Sequence, residues 1–371
     1  MEKLVNNRFF WIQNTYYRKG MLIMRKVESI VPEYLLEKFA EKGSEKAQKS
    51  LEHTKKIHEK RKNLIKNQEI MDSSLENNKE HKATIHVYDC QHTEQPQHKL
   101  VRDEGDSPTD DEDANQAYDA GKVILEYYKK VLHRNSIDNH GLDLIFNVHY
   151  SNHFMNAFWD GEQMIFGDGD GEIFIDFTGG IDVIAHEMSH GVTQYTSKLE
   201  YHDQPGALNE SFSDCIGSAI KQYHLGQNAQ NADWLIGDKI IGPKFPGKAL
   251  RSMKEPGTAN EHDSQPNHMD KYDDGSNLNF ETEEKRQSYI VHTNSGIPNK
   301  AFYLVSMGIG TDNAAILWYN AWPHLHPNSG FHDAFEEILK AAKALINEGK
   351  MPQNTDQVVN KAFSDVGIVK S

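Results

Sequence analysis

Apolar and polar positions along the chain fall into distinct regimes. Residues 1–23 show neither a helical nor a strand period. From Ser29, the run Ile30-Val31-Pro32-Glu33-Tyr34-Leu35-Leu36 leads into a charged helical pattern carrying Phe39, Ala47, Leu51 and Ile57. Such a segment has too little apolar surface to fold alone. The polar stretch 67–82 then reads as an exposed linker. Beyond Ala83 short strand patterns appear at 84–88, 142–150, 163–166 and 172–177, with glycine and aspartate turns between them and one long helix at 114–132. A helical period returns at 181–195 and recurs at 206–224, 298–308, 312–321, 331–347 and 355–366, whereas 255–288 reads as loop. The expectation is an α+β chain: an extension at 1–23, a helical leader and linker at 24–82, a β-rich half at 83–195 and an α-helical half at 196–371. A cleft between two such halves is a common place for an active site.

Composition narrows the partners. A net charge of −15 argues against nucleic acid or an anionic membrane surface. The charge is uneven, with nine basic and three acidic residues from Lys42 to Lys66 and seven acidic with no basic residues from Asp103 to Asp113. Two cysteines, Cys90 and Cys215, are too few for a disulfide framework. No apolar run approaches the 18 or so residues of a membrane span. The first 24 residues offer only Phe9-Phe10-Trp11-Ile12 and Met21-Leu22-Ile23-Met24 as apolar stretches, too short for a conventional signal peptide.

The chemistry concentrates on the helix predicted at 181–195. His186-Glu187-Met188-Ser189-His190 sets two histidines four residues apart, and on a helix positions i and i+4 share one face. Glu210 follows in Ala207-Leu208-Asn209-Glu210. The arrangement reads as a catalytic zinc site, which takes three protein ligands and leaves a position for water. Glu187 would lie beside that water. The competing reading is two ordinary helix histidines beside a surface glutamate.

With these residues in place, the sequence resembles the thermolysin family of zinc metallopeptidases over nearly all of 84–371. The motifs that carry the resemblance are Asn156-Ala157-Phe158-Trp159, Met164 to Gly169, Gly206 to Glu210 with Asp214, Leu250-Arg251-Ser252-Met253, and Val291 to Ile297. The short leader with Pro32 to Leu36, together with Lys221 to Leu225 and Ala232 to Gly237, looks like the protealysin branch. The resemblance implies a thermolysin-like two-domain fold and a monomeric endopeptidase acting on proteins and peptides. His186, His190 and Glu210 would hold zinc (Zn2+), Glu187 would be the general base, and His292 and Tyr201 would stabilise the oxyanion. Asp214 would orient a ligand histidine, and Asn156, Ala157 and Arg251 would hold the substrate backbone. Phe174, Phe177, Val183, Ile236 and Leu250 would line the pocket for the residue after the scissile bond, favouring a hydrophobic one.

Two departures from the family pattern stand out. Gln287 occupies the place of an aspartate that normally orients the histidine at 292. Asp182, Asp233 and Asp238 stand at calcium (Ca2+) positions, yet Lys221 and Leu235 replace two other ligands, and an ammonium cannot ligate a cation; at most one ion fits. The leader would act as an intramolecular inhibitor, offering Tyr34 and Leu35 to the cleft, with a targeting or folding tag as the alternative. Secretion by a route without a usual signal peptide is expected, the alternative being a cytoplasmic pool. A catalytically impaired, zinc-containing peptide binder is the rival function.

Overall fold

A computed structural model describes residues 28–68 and 81–370, so the extension at 1–23 and most of the expected linker lie outside the described residues. The leader contributes a short strand, β1 (Glu28–Ser29), and two helices, α1 (Glu33–Glu41) and α2 (Glu45–Gln68). Pro32 stands immediately before α1, its φ of −61° and ψ of 144° holding the chain extended up to the first helical residue.

The following half contains β2 (Ile85–Asp89), β3 (Lys99–Arg102), α3 (Glu112–Lys130), β4 (Leu144–Val148), β5 (Ala157–Trp159) and β6 (Met164–Phe166). Asp111 caps α3 by accepting from the Ala114 amide. All these strands join one sheet in the order β1-β5-β6-β4-β2-β3. Strand β4 runs parallel to β2 and β6, whereas β5 runs antiparallel to β6 and the leader's β1 pairs antiparallel with β5. The leader therefore covers what would otherwise be the sheet's edge.

Next come α4 (Ile181–Gln194), α5 (Asp203–Leu225), β7 (Leu235–Ile236) and β8 (Arg251–Ser252). The remainder is α6 (Glu283–Asn294), α7 (Gly296–Ile309), α8 (Thr311–Ala321), α9 (Phe331–Asn347) and α10 (Thr355–Asp365). One hydrophobic core runs through both halves and takes in Ile30, Val31, Leu35, Leu36, Phe39, Ala47 and Leu51 of the leader. Among the described residues, no helix is long and apolar enough to cross a membrane.

Two local expectations change, and two strands, β3 and β5, come in addition to those expected. The strand expected at 172–177 is a turn-rich segment with isolated bridges, Gly169 to Ile175 and Phe174 to Ile241, closed by a 3-10 turn at Phe177–Gly179. The Asp170 side chain accepts the amides of Glu172, Ile173 and Phe174, which draws the backbone into a loop instead of a ladder. The region 255–288 is not loop throughout, because α6 begins at Glu283 behind a Thr282 cap. That helix hides from periodicity because it buries Ser288, His292, Thr293 and Asn294. Strands β3 and β5 are too short for a clear alternation; all three residues of β5 are buried.

Candidate active site

Helices α4 and α5 pack closely enough to bring their side chains to one point. A Cβ added at Gly217 would come 2.7 Å from the Asp182 carbonyl oxygen, so glycine is what permits this approach. His186 and His190 of α4 and Glu210 of α5 are buried, and their ligand atoms lie within 4.8 Å of one another. The His186 Nδ1 is turned to Asp214 Oδ1 at 2.9 Å and the His190 Nδ1 to Asn209 Oδ1 at 3.0 Å. These partners leave the two Nε2 atoms facing each other at 3.0 Å, where two lone pairs repel unless a proton or cation lies between them. Glu210 Oε2 is buried without a hydrogen bond, 3.5 Å from His186 Nε2.

The electrostatics point the same way. Burial presses His186 down, but Asp214 and Glu210 outweigh it and the imidazole rises to about 9. At His190 burial prevails, lowering it to about 3. Burial opposes ionisation of Glu210 and Asp214 too, yet the histidines hold Glu210 well below the usual carboxylate range, and Arg251 with His186 brings Asp214 to about 2. Buried negative charge converging on two imine nitrogens calls for a cation. Two nitrogens and one carboxylate oxygen, with a carboxylate behind one histidine, form a donor set suited to catalytic zinc.

Glu187 is buried beside this set, its Oε2 accepting from the Trp159 amide at 2.9 Å. Tyr201 donates to Glu210 Oε1 and lies 3.2 Å from His292 Nε2. Gln287 does not take the role of the usual aspartate. Its Oε1 accepts from the Asp203 amide at 2.8 Å, and its Nε2 donates to Glu283 at 2.8 Å, tying α6 to the start of α5. His292 Nδ1 donates instead to the Ser288 carbonyl at 2.7 Å. Burial lowers the His292 pKa, with Glu210 and the Ser288 carbonyl opposing.

On the substrate side, Arg251 meets Asp214 through two nitrogens, at 2.9 and 2.8 Å, and Asn299 adds a further bond to Asp214 at 2.9 Å. Phe174, Phe177, Val183, Ile236 and Leu250 are all buried in the main core. The leader occupies this side of the cleft. Ile30 N–H donates to the Ala157 carbonyl at 3.2 Å, Arg251 donates to the Ile30 carbonyl at 3.1 Å, and Asn156 bonds both the amide and the carbonyl of Val31. The backbone meeting the site is thus Ser29–Val31, upstream of the expected Tyr34 and Leu35. Tyr34 packs edge-on against Tyr289, and Phe39 packs against Phe174 and Phe245.

Asp182, Asp233 and Asp238 converge as expected, but on the ammonium of Lys221. Its Nζ lies 3.5 Å from Asp182 and 3.4 Å from Asp233, bonds Asp238, and donates to the Leu235 carbonyl at 3.0 Å. Burial works against the charge, yet Asp182 and Asp238 hold the ammonium's pKa above its ordinary value. Sequence reasoning missed a second group, Asp113, His149 and Asp168, whose donor atoms also lie within 4.8 Å of one another. It also assigned no role to Asn209, Ser288 or Asn299; Asn209 stands beside Glu210 in a quoted motif, while the other two carried no signal.

Comparison with known proteins accords with this geometry. A family model described as thermolysin metallopeptidase, catalytic domain, matches residues 51–194, and one described as thermolysin metallopeptidase, alpha-helical domain, matches 197–368. The chain is 39% identical to an extracellular metalloprotease of Pectobacterium carotovorum subsp. carotovorum, over 93% of this chain and 97% of that protein. It is 38% identical to thermolysin of Alicyclobacillus acidocaldarius subsp. acidocaldarius over 68% of this chain and 44% of that one. The precursor of protealysin, a metalloproteinase from Serratia proteamaculans, matches with a TM-score of 0.76 and 35% identity, covering 92% of this chain and all of that one. The chain is therefore a metallopeptidase of the thermolysin family, on its protealysin-like branch.

Proposed function

We propose that the protein is a secreted zinc endopeptidase made as a self-inhibited zymogen, cleaving peptide bonds before hydrophobic residues. The observation that carries this reading is the convergence of His186, His190 and Glu210 beside Glu187 and the pair His292 and Tyr201. His186, His190 and Glu210 would hold a zinc ion, which when bound would supply Lewis acidity and lower the pKa of a water toward about 7. Glu187 takes a proton from the attacking water and passes it to the departing amine. His292, when its Nε2 carries a proton, and the Tyr201 hydroxyl stabilise the developing oxyanion, each donor being worth about 3 kcal/mol. Asn156, Ala157 and Arg251 hold the substrate backbone against β5, and Phe174, Phe177, Val183, Ile236 and Leu250 receive the side chain after the cut. The leader, seated on those same groups, excludes other peptides. At the calcium position, Lys221 serves in place of an ion. Retention of Glu187 favours a peptidase over a silent binder, because binding needs no general base.

The test is casein hydrolysis by the matured protein beside Glu187→Gln. The variant should lose activity by about 10²–10⁴-fold while binding the same amount of zinc. Equal hydrolysis by both would refute the assignment.

A further inference from the structure

The leader does more than cover the cleft. Followed residue by residue, its backbone takes a single register across the groups proposed to handle a substrate. Glu28 and Ser29 pair with Trp159 and Phe158, extending the sheet as an added antiparallel strand. The Ser29 carbonyl oxygen lies 3.3 Å from His292 Nε2, and that nitrogen is 3.2 Å from the Tyr201 hydroxyl. Ser29 is thus the residue whose carbonyl meets His292, one of the two groups proposed to stabilise the oxyanion. The next amide, Ile30 N–H, is held by the Ala157 carbonyl, and the next carbonyl, Ile30 C=O, by Arg251. Val31 is gripped at both its polar backbone atoms by Asn156.

The side chains agree with that register. Ile30, the residue just past the faced carbonyl, is fully buried and belongs to the same apolar core as Phe174, Phe177, Val183, Ile236 and Leu250. A hydrophobic residue therefore stands where the proposed specificity requires one. Pro32 follows, and its missing N–H leaves no donor unsatisfied as the chain turns into α1. Helix α1 then anchors the segment: Glu37 pairs with Lys285 at 2.7 Å, and Phe39 packs against Phe174 and Phe245.

From this geometry we propose that the leader is the enzyme's first substrate and that the bond it presents is Ser29–Ile30. The inference rests on the peptidase reading above. In the reaction water adds across the amide: the Ser29–Ile30 C–N bond breaks, the water oxygen becomes part of the Ser29 carboxylate, and Ile30 leaves as an amine carrying the transferred proton. Because the bond is held in place by its own chain, the step is unimolecular, with the rate advantage that fixed proximity confers. The cut does not by itself release the leader, since Ile30 onward remains fastened by Arg251, Asn156 and both leader helices. Ser29–Ile30 scission is thus a nick that precedes removal of the leader.

The test follows the full-length chain by intact-mass and N-terminal analysis after zinc is supplied, at concentrations spanning two decades. A new amino terminus at Ile30 should appear with a first-order rate that does not change on dilution, and Glu187→Gln should stay intact. Ile30→Asp should slow the cut at this bond roughly 100-fold, while Ile30→Leu keeps it. Amide exchange in the Glu187→Gln background supplies a readout independent of turnover: the Ile30 and Val31 amides should be protected, and Ile30→Asp should expose them. A nicking rate that rises with concentration would overturn the proposal. So would casein hydrolysis by the same preparation with Ser29–Ile30 uncut, which leaves the peptidase reading standing. Zinc-bound protein that neither cuts itself nor hydrolyses casein overturns both.

Discussion

At the scale of single residues, Lys221 is the clearest case of one side chain replacing a different kind of group. Its ammonium, 4% exposed, answers Asp182, Asp233 and Asp238 at once. Removing one partner of a buried ion pair typically costs about 3–5 kcal/mol, because the remaining charge stays desolvated. Lys221→Met should therefore lower the melting temperature by roughly 10 °C, whereas wild type should melt at the same temperature in EGTA and in added calcium. Lys221→Glu should reverse that indifference, giving a protein whose melting point climbs with calcium, since a fourth carboxylate supplies the hard oxygen ligands such an ion needs. A calcium-dependent wild type would sink this account. The Lys221 cluster was partly legible beforehand, because the family pattern put the three aspartates together and an ammonium among them has one chemical meaning. His292 was less so. The absence of an aspartate at position 287 was visible, but its replacement is the Ser288 carbonyl, and no side-chain pattern reveals a backbone acceptor.

At the scale of elements, the start of α3 meets the loop after β4 through a crowded group of carboxylates around one histidine. His149 lies 3.1 Å from Asp111, 3.0 Å from Asp168 and 3.6 Å from Asp113, and His92 also reaches Asp168 at 3.2 Å. Burial, followed by repulsion from Asp176, pushes the Asp113 carboxyl up to about 7, with His149 opposing. His149 rises to about 9, chiefly through its bond to Asp168 and against its own burial. An aspartate in the unfolded chain ionises near 3.9. The folded state consequently binds more protons than the unfolded one between about pH 4 and 7, and stability falls as pH rises through that window. The His149 contribution is complete below its unfolded value of about 6.5 and is lost as pH rises through about 9. Asp113→Asn removes the first effect. The variant should match wild type at pH 4 and melt higher at pH 8, and a difference between the two melting curves that stays constant with pH would rule this out. This junction was poorly legible because its members are scattered between positions 92 and 176. Helices α3, α4, α5 and α7 to α10 were legible from apolar period, whereas α6 was not, since its buried face carries Ser288, His292, Thr293 and Asn294.

At the scale of the whole molecule, the leader and the rest of the chain share one core, so the proposed inhibition would draw on the same contacts as folding. The apolar pattern of the leader was visible in the sequence, as was its lack of enough surface to fold alone. Its register was not, because Ser29, Ile30 and Val31 are placed by backbone bonds to Ala157, Arg251 and Asn156 that depend on the finished cleft. Phe39 offers a way to separate docking from catalysis. It is 4% exposed and touches Phe174, Phe245 and His262, while lying outside the groups proposed to act on the reacting bond. Truncating a buried phenylalanine to alanine costs about 3–5 kcal/mol. If most of that loss falls on docking, the leader-free fraction rises by about 100-fold or more, each 1.4 kcal/mol being a factor of ten. Intact full-length Phe39→Ala should therefore hydrolyse a small peptide far faster than intact wild type in the first minutes, before processing alters either sample. Once the leader has been removed, the two proteins are identical in sequence and should show the same kcat/KM. An unchanged initial rate in intact Phe39→Ala would mean that the leader's apolar anchor does not govern access, leaving the backbone bonds of Ser29–Val31 to hold the cleft shut alone.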